Sequence, residues 1–460
     1  MKNLTLENIA KACGGKLCGK DTGAKATCVV IDSRKMESGG VFIATKGERV
    51  DGHSFIPGME EAGAIGVVCE NEPAQCGIPY IMVKDSFQAL KDIAEFYRQQ
   101  LDIPVIGITG SVGKTSTKEM IAGVLSEKFR TLKTEGNFNN EVGLPLTILR
   151  IRDEHEAAVV EMGISDFGEM RRLSKVARPD ICVMTNIGQC HLENLGTREG
   201  ILKAKSEIFD YMNPEGNVFV NGDDDMLIHV NTKHGNKPFH FGLKPENEIY
   251  ASDIINRGLF GSEAVFHIGK EVFSVKVPLP GEHMIYNALA ATAVGKSLGL
   301  SKEQIQKGIA NVQAVGGRSN VMVLTDYTLI DDCYNANPVS MRAAIDLLSM
   351  GLGRKVAVLG DMFELGDREC ELHREVGAYA AEKGIDVIVC TGLLSKHMYE
   401  GVCEAKKEML SAAGKKEVYY FETRDEMLKE LPEILKAGDN VLVKASHGMH
   451  FEEVVSFLNK

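Results

Sequence analysis

The chain has 460 residues, 44% of them hydrophobic and 25% charged, and a formal net charge of −12. Length provides for roughly two to four domains of about 100–200 residues, and the acid excess excludes a broad nucleic-acid-binding surface. No run approaches the roughly 18 apolar residues of a membrane span, and the eleven scattered cysteines form no C-x-x-C pair, which predicts reduced thiols in a cytoplasm rather than a disulfide frame or a zinc site.

Residues 1–8 carry no apolar signal core, so a cytoplasmic protein without a leader is expected. The first 85 residues are rich in glycine and turns, with short β-like runs at 41–44 and 66–68. They read as a small α/β module, 1–85. A helix over 86–100 then leads to Pro104 and a strand at 105–109. Apolar runs at 105–109, 157–161, 181–185 and 217–220 alternate with helix-length segments, which predicts a mostly parallel sheet covered on both faces over 86–315. An Ala-rich helix over 287–298 ends at Gly299, a C-cap residue. Beyond Gly316-Gly317 the rhythm restarts, with runs at 328–330, 355–359, 386–390, 418–421 and 440–443. A second open α/β sheet over 316–460 follows, and such sheets collect ligands at the carboxyl ends of their strands.

Chemistry concentrates after the strand at 105–109. Thr109-Gly110-Ser111-Val112-Gly113-Lys114-Thr115-Ser116 opens a helix. Glycines let backbone N–H groups close on phosphate oxygens, and the helix N-terminus adds its positive end. Lys114 would reach the β- and γ-phosphates, and the Thr115 hydroxyl would hold Mg²⁺. The usual first glycine of G-x-x-x-x-G-K-[ST] is replaced by Ile108. Glu161 closes the run at 157–161, where a carboxylate suits Mg²⁺ but also fits a solvated strand end. His191, after the run at 181–185, reads as a surface or satisfied histidine sooner than as a ligand. Lys205 reads as a solvated helix lysine, and Asn287 as a helix cap or an adenine-edge contact.

Longer strings sharpen this picture. Gly136-Asn137-Phe138-Asn139-Asn140-Glu141-Val142-Gly143-Leu144-Pro145, Ile330-Asp331-Asp332-Cys333-Tyr334-Asn335-Ala336-Asn337-Pro338 and Leu359-Gly360-Asp361-Met362-Phe363-Glu364-Leu365-Gly366 occur in that order. With the phosphate loop, and with Asp32-Ser33-Arg34-Lys35, Gly47-Glu48-Arg49 and Asp51-Gly52-His53 near the start, the chain resembles the Mur ligases of bacterial cell-wall synthesis. The string at 359–366 is typical of the member that adds D-alanyl-D-alanine to UDP-N-acetylmuramoyl-tripeptide.

The resemblance implies three domains: a UDP-binding α/β module (1–85), a P-loop ATPase-type mostly parallel sheet (86–315) and a Rossmann-like open sheet (316–460). It implies ATP at Gly110, Ser111, Val112, Gly113, Lys114, Thr115, Ser116, Asn287, Arg318 and Asp332. It implies a pair of Mg²⁺ ions at Thr115, Glu161, His191 and a carbamylated Lys205, with Lys114, Lys205 and His191 catalytic. The UDP substrate would meet Ser33, Arg34, Gly47, Asn137 and Asn140, and the dipeptide side would be Tyr334, Asn335 and Asn337. A cytoplasmic monomer with no nucleic-acid or membrane partner is expected. Met284 departs from the family's G-x-H-N pattern, and Lys444-Ala445-Ser446-His447 from its Lys-Gly-Ser-Arg; histidine lacks the arginine fork. Rival readings are a ligase of the same family adding a single amino acid, a folate-polyglutamylating enzyme, and a nucleotide switch without an acyl acceptor.

Overall fold

Runs of buried β-formers decide the architecture. Val105–Thr109 and Ala157–Glu161 are buried at every position, as strands covered on both faces must be. The computed structural model describes residues 1–20, 23–47, 50–232, 235, 237–314, 316–408 and 417–459. Among these residues the strands form three sheets, of five, nine and six strands.

The nine-stranded sheet runs Glu271–Val277, Ser262–Ile268, Ile249–Asn256, Phe239–Gly242, Asn217–Asn221, Ile181–Met184, Val105–Thr109, Ala157–Glu161, Thr131–Lys133. Pairings from Ile249–Asn256 to Thr131–Lys133 are parallel. The two pairings toward Glu271–Val277 are antiparallel and were not anticipated from the sequence. Their residues alternate, with Phe273, Val275 and Val277 buried between exposed neighbours. That is the mark of a strand with one wet face, and it is weaker than a continuous apolar run.

The six-stranded sheet runs Asn320–Val323, Tyr327–Asp331, Asp439–Lys444, Lys355–Gly360, Val387–Thr391, Glu417–Phe421, parallel except at its first pair. The five-stranded sheet runs Lys16–Cys18, Tyr80–Met82, Gly66–Cys69, Val41–Ile43, Val29–Val30, antiparallel only at its first pair.

The helix Ser86–Arg98 binds the first sheet to the second. Asp85 caps it by accepting the Gln88 N–H, and its face of Leu90, Ile93, Ala94 and Tyr97 is buried. The Tyr97 hydroxyl donates to Ile151 O at 2.6 Å, and the buried Arg98 guanidinium donates to Ala177 O and Asp180 Oδ2, both at 2.8 Å. A second helix, His283–Ser297, begins four residues earlier than the Ala-rich run suggested, and Gly299 follows it at φ +72°. Its small side chains let it pack closely on Lys114–Leu125. No helix among the described residues is long and apolar enough to cross a membrane, and all eleven cysteines are free.

Candidate active site

Val105–Thr109 passes into the helix Lys114–Leu125 through residues 110–113. Gly110 has φ +153°, and a Cβ there would lie 1.9 Å from Thr185 Oγ1, so nothing larger fits. Gly113 stands at φ +84° and offers the helix no side-chain cap. The helix therefore presents unspent N–H groups at the loop, the arrangement that binds anions. Residues 185–188 mould the loop from outside. Asn186 Oδ1 accepts the Val112 N–H at 2.9 Å, while the Thr185 hydroxyl and the Asn186 amide both donate to Val112 O. Gly188 N donates to Ser111 Oγ. Lys114 Nζ rests on Gly110 O at 2.8 Å, a neutral carbonyl it can exchange for a phosphate.

Beside the loop lies Glu161, 1% exposed. The Thr115 hydroxyl donates to its Oε2 and the Asn139 amide to its Oε1, both at 2.8 Å. Its own N–H donates to Thr134 Oγ1, and Lys118 Nζ secures Thr134 through its carbonyl. The carboxylate is thus held by neutral donors, with no lysine or arginine paired to it among the described residues. That donor set, a carboxylate with a hydroxyl and an amide, suits a hard cation. No three His, Cys, Asp or Glu side chains among the described residues form a ready metal cluster. Mg²⁺ does not require one, since it keeps waters and takes its remaining ligands from phosphates.

Lys205 lies in the helix Arg198–Ser206 as expected, but not on its wet face. It is fully buried, its Nζ has no hydrogen-bond partner, and burial foremost pushes its pKa down to about 8. The solvated-lysine reading is wrong, because the helix turns this face into the core. His191 precedes the short helix Leu192–Leu195 at φ +53°. Its Nδ1 lies 2.7 Å from Glu364 Oε2 of the third unit, off the line of a hydrogen bond. It holds the Glu364 carboxyl below the usual range.

The third sheet supplies the opposite wall from its strand ends. Asp332 accepts the Ser319 N–H at 2.8 Å and Lys444 Nζ at 2.6 Å, and Lys444 also donates to Asn335 O. The Arg318 guanidinium lies 4.1 Å from the centre of the Tyr334 ring. Asn337 faces the cleft, but its amide oxygen accepts the Ser340 N–H in a capping box of the helix Pro338–Ser349. Asn287 is no cap. It sits inside its helix, 4% exposed, and accepts the Thr117 hydroxyl at 2.9 Å.

These walls enclose a cleft of about 510 Å³ that brings Ser111, Val112, Gly113, Lys114 and Ser116 together with Asn137, Asn140 and Glu161, and with Arg318, Asp332, Tyr334, Asn335 and Asn337. A smaller cavity of about 260 Å³ shares Ser111, Lys114, His191 and Tyr334 with it and runs on toward Phe363, Glu364 and His447. Thr115, Lys205 and Asn287 are buried and do not line the cleft. Ser33, Arg34 and Gly47 are not part of that lining. Arg34 is exposed and forks onto Asp32 at 2.9 Å for each bond, while Gly47 lies on an exposed turn. Glu48 and Arg49 lie outside the described residues. The first unit still approaches the cleft, for Lys35 Nζ lies 5.8 Å from the centre of the Phe138 ring. Asn139, Lys444 and Glu364 stand in strings already singled out but were given no role there, because their partners Glu161, Asp332 and His191 are distant in the chain.

Three family models match in succession: "Mur ligase family, catalytic domain" over residues 25–98, "Mur ligase middle domain" over 108–295, and "Mur ligase, glutamate ligase domain" over 317–447. The UDP-N-acetylmuramoyl-tripeptide–D-alanyl-D-alanine ligase of Bacillus subtilis (strain 168) is 38% identical over 99% of this chain and 98% of its own. Among solved structures, a MurF from Acinetobacter baumannii matches at TM-score 0.88 and 33% identity, over 99% of this chain and 98% of that one. The MurF ligase of Thermotoga maritima in complex with ADP matches at TM-score 0.81 and 30% identity, covering 94% of this chain and 97% of that one. Matched by three successive family models and by a relative 38% identical over nearly its whole length, the chain belongs to the Mur ligase family.

Proposed function

We propose that this chain is an ATP-dependent ligase that joins D-alanyl-D-alanine to UDP-N-acetylmuramoyl-tripeptide, releasing ADP and phosphate. One observation carries the reading: the phosphate loop and Glu161, paired with the Thr115 hydroxyl, line one cleft whose far wall holds Asp332, Tyr334 and Lys444. A binding protein needs only the first of these.

A carboxylate is a poor electrophile. Moving the ATP γ-phosphoryl group onto the tripeptide carboxylate gives an acyl phosphate with a good leaving group. The dipeptide amine then attacks through a tetrahedral oxyanion, and phosphate departs. Phosphoryl transfer asks the protein chiefly for positioning and charge neutralisation. Lys114 and the unspent N–H groups of its helix supply both for the phosphates. Thr115, Glu161, His191 and a carbamylated Lys205 would hold Mg²⁺, which when bound screens phosphate and carboxylate charge.

The environment of Lys205 supports carbamylation. At a pKa of about 8 roughly a tenth of the amine is neutral at pH 7, and only the neutral amine takes up carbon dioxide. The product is an anion, with the amine's proton released to solvent. Asn287 and Arg318 serve ATP, and Asp332 its ribose; Tyr334, Asn335 and Asn337 border the dipeptide. Ser33, Arg34, Gly47, Asn137 and Asn140 serve the UDP substrate in a first domain of residues 1–85, ahead of domains 86–315 and 316–460. The work is done in the cytoplasm, by a monomer.

A coupled ADP-release assay with purified protein tests this. ADP should appear only when ATP, UDP-N-acetylmuramoyl-tripeptide and D-alanyl-D-alanine are all present. ADP released with a single amino acid but not with the dipeptide would point to another ligation step, and ATP turnover indifferent to both substrates would remove the ligase reading.

A further inference from the structure

The smaller cavity differs from the main cleft in the balance of its charges. Lys114, His191 and His447 line it on the basic side, and Glu364 is the single carboxylate among its lining residues. The carboxylates of the main cleft are already committed: Glu161 to Thr115 and Asn139, Asp332 to Lys444 and Ser319, Glu169 to the N–H groups of Ser165 and Asp166. Among the described residues Glu364 has an imidazole as its only ion partner, and its side chain is 57% exposed.

Its placement is enforced. Glu364 has φ +61°, a conformation that costs a side-chain-bearing residue free energy and persists only where the surroundings fix it. They do so here. Met362 N donates to His373 Nε2 and Phe363 N to Ser446 Oγ, each at 2.9 Å. A strained turn held from two sides aims one carboxylate into a cavity that Lys114 joins to the phosphate loop. Apolar walls of Tyr334, Ala336, Phe363 and Leu365 complete it. A small amine bearing short apolar side chains matches this lining, and a nucleotide does not.

We propose that Glu364 receives the ammonium group of the incoming dipeptide, exchanging its contact with His191 for the substrate. The inference rests on the ligase reading above. It makes Glu364 a recognition residue: the carboxylate orients the nitrogen beside His191, and the exchange frees the His191 imidazole.

The test compares wild type with Glu364→Gln and Glu364→Asp in steady-state ligation. A charge-assisted hydrogen bond to a substrate ammonium is worth about tenfold or more in affinity. The KM for the dipeptide should therefore rise about tenfold or more in Glu364→Gln, with the KM for ATP and the melting temperature unchanged, and Glu364→Asp should recover part of the loss. N-acetyl-D-alanyl-D-alanine keeps the shape but lacks the ammonium; it should inhibit wild type and Glu364→Gln equally. A dipeptide KM unchanged in Glu364→Gln, or one that moves together with the KM for ATP, would overturn the assignment of Glu364 while leaving the ligase reading intact. A wild type that cannot ligate the dipeptide would overturn both.

Discussion

Replacing Lys205 by methionine should make the protein more stable and inactive. The ammonium is fully buried with no hydrogen-bond partner, and its pKa falls from 10.5 to about 8. A shift of that size corresponds to about 3 kcal/mol against the charged form. The sign follows from proton counting. Between pH 8 and 10.5 the unfolded chain binds the proton and the folded chain does not, so stability rises with pH across that window. Below about pH 8 both states are protonated and the folded state carries the whole penalty. Methionine has nearly the same volume and no charge, so Lys205→Met removes the penalty at pH 7 without opening a cavity. For a unit of this size, about 3 kcal/mol raises the melting temperature by roughly 6–12 °C. The assay is thermal unfolding at pH 7 in metal-free buffer purged of carbon dioxide, followed by the same scan with bicarbonate. Wild type should gain stability with bicarbonate and the variant should not respond. Ligation should be lost in the variant under both conditions. A variant that melts at or below wild type in the purged buffer would refute the burial argument, and an active one would return Lys205 to the role of a packing residue.

Gly110→Ala should disable the phosphate loop, since the added Cβ collides with Thr185 Oγ1; turnover should fall about a hundredfold, as misplacing a catalytic loop by about an ångström does, and fluorescent-nucleotide titration should show weakened ATP binding. His373 is neutral in the folded protein, for its Nε2 accepts the Met362 N–H and burial lowers its pKa. The unfolded chain therefore binds the proton first as pH falls below about 6.5, and stability is lost in that direction. The melting temperature of wild type should drop more steeply between pH 7 and 5.5 than that of His373→Gln, whose side-chain oxygen can still accept the Met362 N–H. Parallel slopes would show that this histidine does not titrate across folding.

The sheets were legible where strands are covered on both faces. Val105–Thr109, Ala157–Glu161 and Val387–Thr391 are buried at every position and read as continuous runs dominated by apolar residues. Thr131–Lys133 is too short to stand out, and Glu271–Val277 alternates because its outer face is wet. In the site, the loop at 110–116 carries its geometry in its glycines, so its function could be read from the residues. Lys205 could not be separated from a surface lysine, because burial depends on which way its helix is rotated in the fold. Asn287 looked like a cap because the preceding four residues, Gly-free and only moderately apolar, did not announce that the helix had begun. Glu364 drew no attention as a glutamate in a loop; its meaning lies in a partner 173 positions away in the chain.

The lysines around the cleft divide the work according to what already holds them. Lys444 is 2% exposed and donates to Asp332 and to Asn335 O, so its charge is spent on fixing the wall that carries Asp332. Withdrawing it would cost the full price of a broken buried ion pair, which makes it architecture. Lys114 gives up only the Gly110 carbonyl when a phosphate arrives, and a neutral hydrogen bond of that kind is worth about 1 kcal/mol. Lys205 gives up nothing, because nothing holds it. Glu161 is likewise bound by a hydroxyl and an amide, not by a cation. On the phosphate-loop wall, Lys114 and Glu161 are thus oriented by dipoles, while Lys444 on the opposite wall is fixed in an ion pair. On the proposed ligase reading, a phosphate and its metal would reach Lys114 and Glu161 without first dismantling a salt bridge, leaving their attraction to these two groups available for the transition state.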